Sequence, residues 1–275
     1  MINIKKPKYS CVLRENGVIT SLIADEQPGN LIPENNGWGC EIGNWEDFFS
    51  QLKHLLPEQV ISTSNNDIYK FDFEVTLKPS TRIAVTEHLE FREDKISQSF
   101  AFKIISLSGN LGDLVGRIVL RGDIFPQLII GQASLNHKSN NIYHDFLPQV
   151  SIATTSQPKI TITQQIEQPG AYQNIFDQTM YLRDEPPIAN QQPAWVNHLR
   201  LIANSNHATQ YYLRWFYPNM LIPQGISNWV GKQSYLRNML WRAKEFRPCS
   251  PIQIGGSAHV QKDDTFMLSS TINFN

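Results

Sequence analysis

The chain has 275 residues, of which 41% are hydrophobic and 18% charged, with a formal net charge of −1. So little charge excludes a coiled coil and a disordered tail protein, and the length suits one large core or a sheet domain with a smaller appended lobe. No apolar run reaches the length of a membrane-spanning helix, and Met1 to Lys8 runs into polar sequence rather than a signal peptide.

These features predict a soluble protein with no membrane partner. The cysteines Cys11, Cys40 and Cys249 are far apart with no CxxC pair, so neither a zinc site nor a disulfide framework is expected. A reducing cytoplasm is the natural compartment.

In chain order, Tyr9 to Leu13 and Val18 to Ile23 read as strands joined across Glu15-Asn16-Gly17, because an Asn-Gly pair supplies the positive φ of a tight turn. Gln27 to Gly43 reads as a loop. A helix is predicted from Asn44, with Trp45, Phe48, Phe49, Leu52, Leu55 and Leu56 at helical spacing and Pro57 as its stop. From Asp67 the period changes to two. Tyr69, Phe71, Phe73, Val75 and Leu77 alternate with Lys70, Asp72, Glu74, Thr76 and Lys78. Ile83 to Phe91, Phe100 to Ile104, Leu114 to Arg121 and Gln127 to Leu135 continue the pattern, and Val150 to Thr155 and Lys159 to Ile166 extend it. Short connections between such strands mean an antiparallel meander.

Beyond the Pro186 to Pro193 linker, Ala194 to Ala203 reads as a short helix, Thr209 to Tyr217 as a strand and Ser227 to Phe246 as a long helix. Two strands around Gly255-Gly256 and Phe266 to Phe274 are predicted to return to the sheet. The fold class is thus α+β and mostly β, a curled, barrel-like antiparallel meander sheet with a few helices packed on it. Residues 1–185 form its acidic sheet domain with one N-terminal helix. Residues 186–275 form a basic, aromatic-rich lobe with one long helix, packed on the same sheet.

Charge divides the same way. Between Pro186 and Lys262 eight bases face the single acid Glu245, a local charge of +7 that leaves −8 on the rest. This segment also carries Trp195, Trp215, Trp229 and Trp241. Bases interleaved with aromatics suit an anionic partner with flat or apolar parts. Candidate ligand-binding residues are therefore Arg214, Trp215, Arg237, Trp241 and Lys244. The last three share one side of the predicted helix, roughly 60–120° from Trp229 and off its apolar arc.

For chemistry, Glu87 breaks the strand pattern. Its parity matches Ile83, Val85, Leu89 and Phe91, so a carboxyl sits on the apolar face, where lost hydration raises its pKa and suits it to general acid–base work. Arg117 is its candidate buried partner and a ligand contact. His198, near Trp195, is the second candidate for proton transfer. His88-Leu89-Glu90 has His-x-carboxylate spacing, with His137, His144 or His259 as a third ligand, but its parity turns it to solvent, so no metal is expected. No Walker loop, G-x-S-x-G elbow or dinucleotide fingerprint is present, so no cofactor is expected either.

The leading reading is a protein that binds or converts a small anionic–apolar compound in a sheet-lined pocket by cofactor-independent acid–base chemistry. The alternatives are a nucleic-acid-binding protein using residues 186–262 and a structural subunit of an assembly. Oligomeric state is not legible.

Overall fold

A computed structural model describes the chain except residues 26, 28, 45, 79–80, 107, 139, 147–148, 186–191, 205–206, 216–219 and 241–244. Two antiparallel sheets face each other across one core. The back sheet has nine strands, in the spatial order Ala133–Asn136, Gln127–Ile130, Gln149–Thr154, Ile160–Glu167, Thr265–Phe274, Lys95–Ile104, Thr81–Phe91, Ile68–Leu77 and Ile61–Asn65. The cleft sheet has seven: Arg247–Pro248, Asn141–Asp145, Phe176–Glu185, Ala194–Ala203, Asp113–Arg121, Gly39–Gly43 and Phe48–Ser50. The mostly antiparallel, curled β architecture is the one the alternating strands imply.

Period-two alternation builds the core. From the back sheet, Phe71, Phe73, Val75, Ile83, Val85, Phe100, Phe102, Phe266 and Leu268 are buried. From the cleft sheet, Leu114, Ile118, Met180, Leu182, Leu199 and Leu201 meet them. Gly116 lies where a Cβ would come 3.7 Å from Leu268, which marks the close approach of the two layers. Inter-sheet hydrogen bonds accompany the packing: Gln178 Nε2 donates to the Ile166 carbonyl at 3.1 Å, and Asn197 Nδ2 donates to Gln164 Oε1.

A three-stranded N-terminal sheet, Ile2–Lys5, Tyr9–Leu13 and Ile19–Ala24, contains the predicted hairpin, with Gly17 at φ +87°. A four-stranded sheet joins Ser108–Leu111, Ile252–Gln261, Gln210–Trp215 and Met220–Leu221. Two helices pack on it, α2 (Gln224–Lys232) and α3 (Ser234–Leu240), following the short α1 (Gln51–His54).

Several local expectations differ from this structure. The helix predicted from Asn44 is only α1. Asn44 Oδ1 does accept the amides of Glu46 and Asp47, at 3.1 and 2.8 Å, but Phe48–Ser50 is captured as a strand by Gly39–Gly43. Residues 39–43 are accordingly a strand and not a loop. Ala194–Ala203 is a ten-residue strand, not a helix, paired along its length on both sides. Its two faces are both covered, so apolar residues occur at both parities and hide the period. The long helix is two, because the chain turns extended at Gln233. Gly231 packs so closely on Tyr211 that a Cβ there would lie 2.0 Å from the ring. The span Gln127 to Leu135 is a hairpin, turned by Gly131 at φ +56°.

Candidate functional site

The face of the cleft sheet turned away from the core is the floor of a cleft of about 340 Å³. Its polar groups follow from strand parity. Where Met180 and Leu182 point to the core, Tyr181 and Arg183 point to the cleft; where Leu199 and Leu201 point to the core, His198 and Arg200 do the opposite. The ladder registers then set these residues side by side. One row runs His144, Tyr181, His198, Arg117 and Gly39; the next runs Thr179, Arg200, Val115, Glu41 and Ser50. Paired residues on an antiparallel ladder share a face, so chemistry scattered over 160 residues of sequence converges. The wall above comes from Arg214, from Leu240 of α3 and from Ile252, Gln253 and Ile254.

Two polar clusters result. In the first, His198 Nε2 lies 3.8 Å from Glu41 Oε2, and Arg117 Nε lies 3.5 Å from Glu41 Oε1. Arg117 is fixed from behind, donating to the Gly37 carbonyl at 2.9 Å and to Asn36 Oδ1 at 2.8 Å. Burial raises the Glu41 carboxyl above its ordinary range, against the opposing pull of Arg117. Burial, reinforced by Arg117, Arg200 and Arg183, holds His198 well below the usual imidazole range. At neutral pH the imidazole is therefore uncharged, and its contact with Glu41 is not an ion pair.

In the second cluster Arg200 Nη2 donates to Asp113 Oδ2 at 2.5 Å, and its guanidinium carbon sits 5.5 Å from the Tyr181 ring centre. Tyr181 stacks on His198 with ring centroids 6.0 Å apart. Burial pushes its hydroxyl up to about 12, and burial with Arg200 and Arg247 pushes His144 down to about 3. The floor is thus lined by uncharged imidazoles and a phenol among arginines.

Of the residues singled out from sequence, His198 and Arg214 line this cleft, and Arg117 stands behind Glu41. Trp215 ends its strand half exposed. Arg237 is buried and donates from Nη1 to the Gly231 carbonyl at 2.8 Å. Trp241 and Lys244 lie outside the described residues. Glu87 lies on the apolar face as its parity requires, fully buried, but inside the sandwich and away from the cleft. Its oxygens accept from Gln51 Nε2 at 2.6 Å and Gln98 Nε2 at 2.7 Å, and no arginine among the described residues pairs with it. His88 is exposed, and Glu90 pairs with Arg92 at 2.7 Å.

Glu41, Asp113, Tyr181 and Arg183 were not singled out by the sequence reading. The signal that could have found them is a pair of chemically capable residues at i and i+2 in a strand whose other parity is apolar, as in Tyr181/Arg183 and His198/Arg200.

No protein-family model and no curated relative matches the chain. Solved structures do. An aldose 1-epimerase candidate from Escherichia coli K12 is 10% identical, with 99% of this chain and 98% of that one covered and a TM-score of 0.53. A galactose mutarotase related enzyme from Lactobacillus acidophilus is 8% identical, with 100% and 97% covered and a TM-score of 0.58. At such identity the likeness is one of fold: the chain has a galactose mutarotase-like β-sandwich.

Proposed function

We propose that the cleft binds a small cyclic sugar and interconverts its anomers by acid–base opening and reclosing of the ring. The observation that carries this reading is the Glu41–His198 pair. The two groups stand 3.8 Å apart on the cleft floor, the carboxyl raised and the imidazole lowered toward one another. Such convergence makes proton exchange through a bound substrate cheap. The mutarotase-like fold adds support, as do the mixed linings: Ile142, Leu240, Ile252 and Ile254 suit the apolar faces of a sugar ring, and arginines suit its hydroxyls and any anionic group.

The step balances with one proton on the pair. The His198 imidazole takes the proton of the anomeric hydroxyl, the bond from the anomeric carbon to the ring oxygen breaks with its electrons on that oxygen, and the oxygen takes the Glu41 carboxyl proton. The open-chain aldehyde rotates, and reclosure returns both protons. While the ring is open the pair is carboxylate and imidazolium, and Arg117 stabilises the carboxylate. Four of the bases that suggested nucleic acid are turned inward instead: Arg200, Arg214 and Arg247 line the cleft, and Arg237 is buried against the end of α2.

Anomer equilibration of freshly dissolved hexoses and hexose phosphates, followed by polarimetry or exchange NMR, tests the proposal. Glu41→Gln and His198→Asn should each slow the reaction about 10²–10⁴-fold. Because the working form carries the carboxyl proton, the rate should fall as pH rises through the elevated Glu41 pKa. Full activity in both variants, or none in the unaltered protein, would remove the catalytic assignment.

A further inference from the structure

We infer that the protein is a two-fold symmetric homodimer, joined through the outer faces of α2 and α3. The inference does not depend on the sugar-binding reading. Among the described residues sixteen large hydrophobic side chains are exposed, and seven of them lie between Trp215 and Met239. Scattered singly, such residues need no explanation; gathered on one surface, they mark a contact.

The packing of each helix fixes which way its exposed residues point. In α2, Ser227 and Gly231 are buried. Ser227 Oγ accepts the Leu213 amide at 3.2 Å, and Gly231 rests on the Tyr211 ring. Ile226 and Trp229, three residues apart, take the opposite side, with Trp229 60% exposed. In α3 the buried residue is Arg237, bonded back to the Gly231 carbonyl. Tyr235 and Met239, four apart, turn away from it, with Tyr235 78% exposed. Beneath the helices, Gln210–Trp215 and Ile252–Gln261 are ladder neighbours, and α2 packs on the first while α3 packs on the second. The helices are thus neighbours on one sheet and present their outer faces together. Trp215 and Met220, register partners at the end of the strand hairpin, extend the same apolar surface.

Composition and area commit this face to a second copy of the chain. Over residues 220–240 the one exposed charge is Lys232. Trp, Tyr and Met with few charges are the make-up of a homodimer interface core, whereas nucleic acid or an anionic bilayer calls for surface bases. The lobe's arginines at 200, 214 and 247 line the cleft and Arg237 is buried, so the face can meet its own copy with little like-charge repulsion. With a covered aromatic burying 150–250 Å², the seven side chains present roughly 800 Å². That exceeds an ordinary monomer patch and matches what each partner contributes to a stable dimer. A two-fold axis makes the face self-complementary, so the helix pairs of two copies stack on one another. The contact also adjoins the cleft, since Arg214 and Leu240 on its wall are chain neighbours of Trp215 and Met239.

Sedimentation velocity of the full chain at micromolar concentration tests this. The unaltered protein should run at twice the chain mass. Trp229→Lys and Tyr235→Lys, both at solvent-facing positions, should each raise the dimer dissociation constant about 30-fold or more while keeping a cooperative melt. Ile61→Lys, at a 72% exposed residue on the edge strand of the back sheet, should leave the dimer intact. A monomer at every concentration overturns the proposal and leaves the face to a different protein. A dimer that survives both helix substitutions overturns it too, and one lost with Ile61→Lys alone moves the contact to the sheet edge. Should the helix variants not fold, hydrogen exchange of the unaltered protein decides. Amides of residues 224–240 must gain protection as concentration rises, and unchanged exchange there overturns the dimer.

Discussion

Glu87 sits among phenylalanines, facing Phe71 and Phe100 across its two ladders, and is fully buried. The side chain survives there because both oxygens accept from glutamine amides. Gln51 is itself held, donating to the Asn16 carbonyl at 2.8 Å and accepting the Cys40 amide at 2.8 Å. Burial still dominates and raises the carboxyl to about 8, against the lowering effect of the two glutamines. The folded state therefore keeps a proton that the unfolded chain loses near its ordinary carboxylate pKa. Raising the pH from about 4.5 to 8 should cost the fold about 3–5 kcal/mol through this group. His144 and His198 act in the opposite sense, since both stay neutral when folded and penalise acidification below about 6.5. Comparing denaturant midpoints of the unaltered protein and Glu87→Gln across pH isolates the carboxyl. The variant should lose the decline toward pH 8, and identical pH profiles would show that burial leaves the Glu87 pKa where it is in the unfolded chain.

The N-terminal hairpin shows how one element carries several demands. Asn16-Gly17 turns the chain, and the same turn packs on the buried polar group. Asn16 Nδ2 donates to the Leu55 carbonyl at 2.9 Å, and a Cβ on Gly17 would lie 2.1 Å from Glu87 Oε2. Gly17 thus needs both its positive φ and its lack of a side chain. Gly17→Ala should destabilise the protein by about 2–4 kcal/mol, read from its chemical denaturation curve. A loss below about 1 kcal/mol would mean that the turn and carboxyl shift apart at little cost. Strands differ in legibility for a related reason. Ile68–Leu77 has one buried face and one face bearing Lys70, Asp72, Glu74 and Thr76, so its period is plain in the sequence. Ala194–Ala203 has the core on one face and the cleft on the other. Val196 and Ile202 are then as buried as Leu199 and Leu201, and the alternation vanishes.

Across the whole molecule, the division at residue 185 that charge suggests is crossed by the hydrogen-bond ladders. Ala194–Ala203 lies between Asp113–Arg121 and Phe176–Glu185, and Thr265–Phe274 lies between Ile160–Glu167 and Lys95–Ile104. Removing residues 186–275 would open both sheets at interior positions and leave edges unpaired along their full length. The full chain should accordingly unfold in one cooperative transition, while residues 1–185 alone should give no cooperative melt by circular dichroism. A sharp melt of that fragment would establish it as a folding unit. The basic lobe's charge serves the cleft in this arrangement, because strands from the lobe supply arginines to a floor and wall whose acids come from residues before 120.

Sequence by itself determined the antiparallel, mostly β class, the hairpin at Gly17, the side of the strand on which Glu87 sits and the charge contrast between the halves. Each rests on local backbone geometry or on arithmetic along the chain. Tertiary structure alone decided that Phe48–Ser50 and Ala194–Ala203 are strands, that Glu87 is sealed away from the cleft, and that Glu41 meets His198. Those outcomes depend on which strand lies beside which. Register between strands distant in sequence is set by the packing of both sheets together, and no periodicity within a single strand records it.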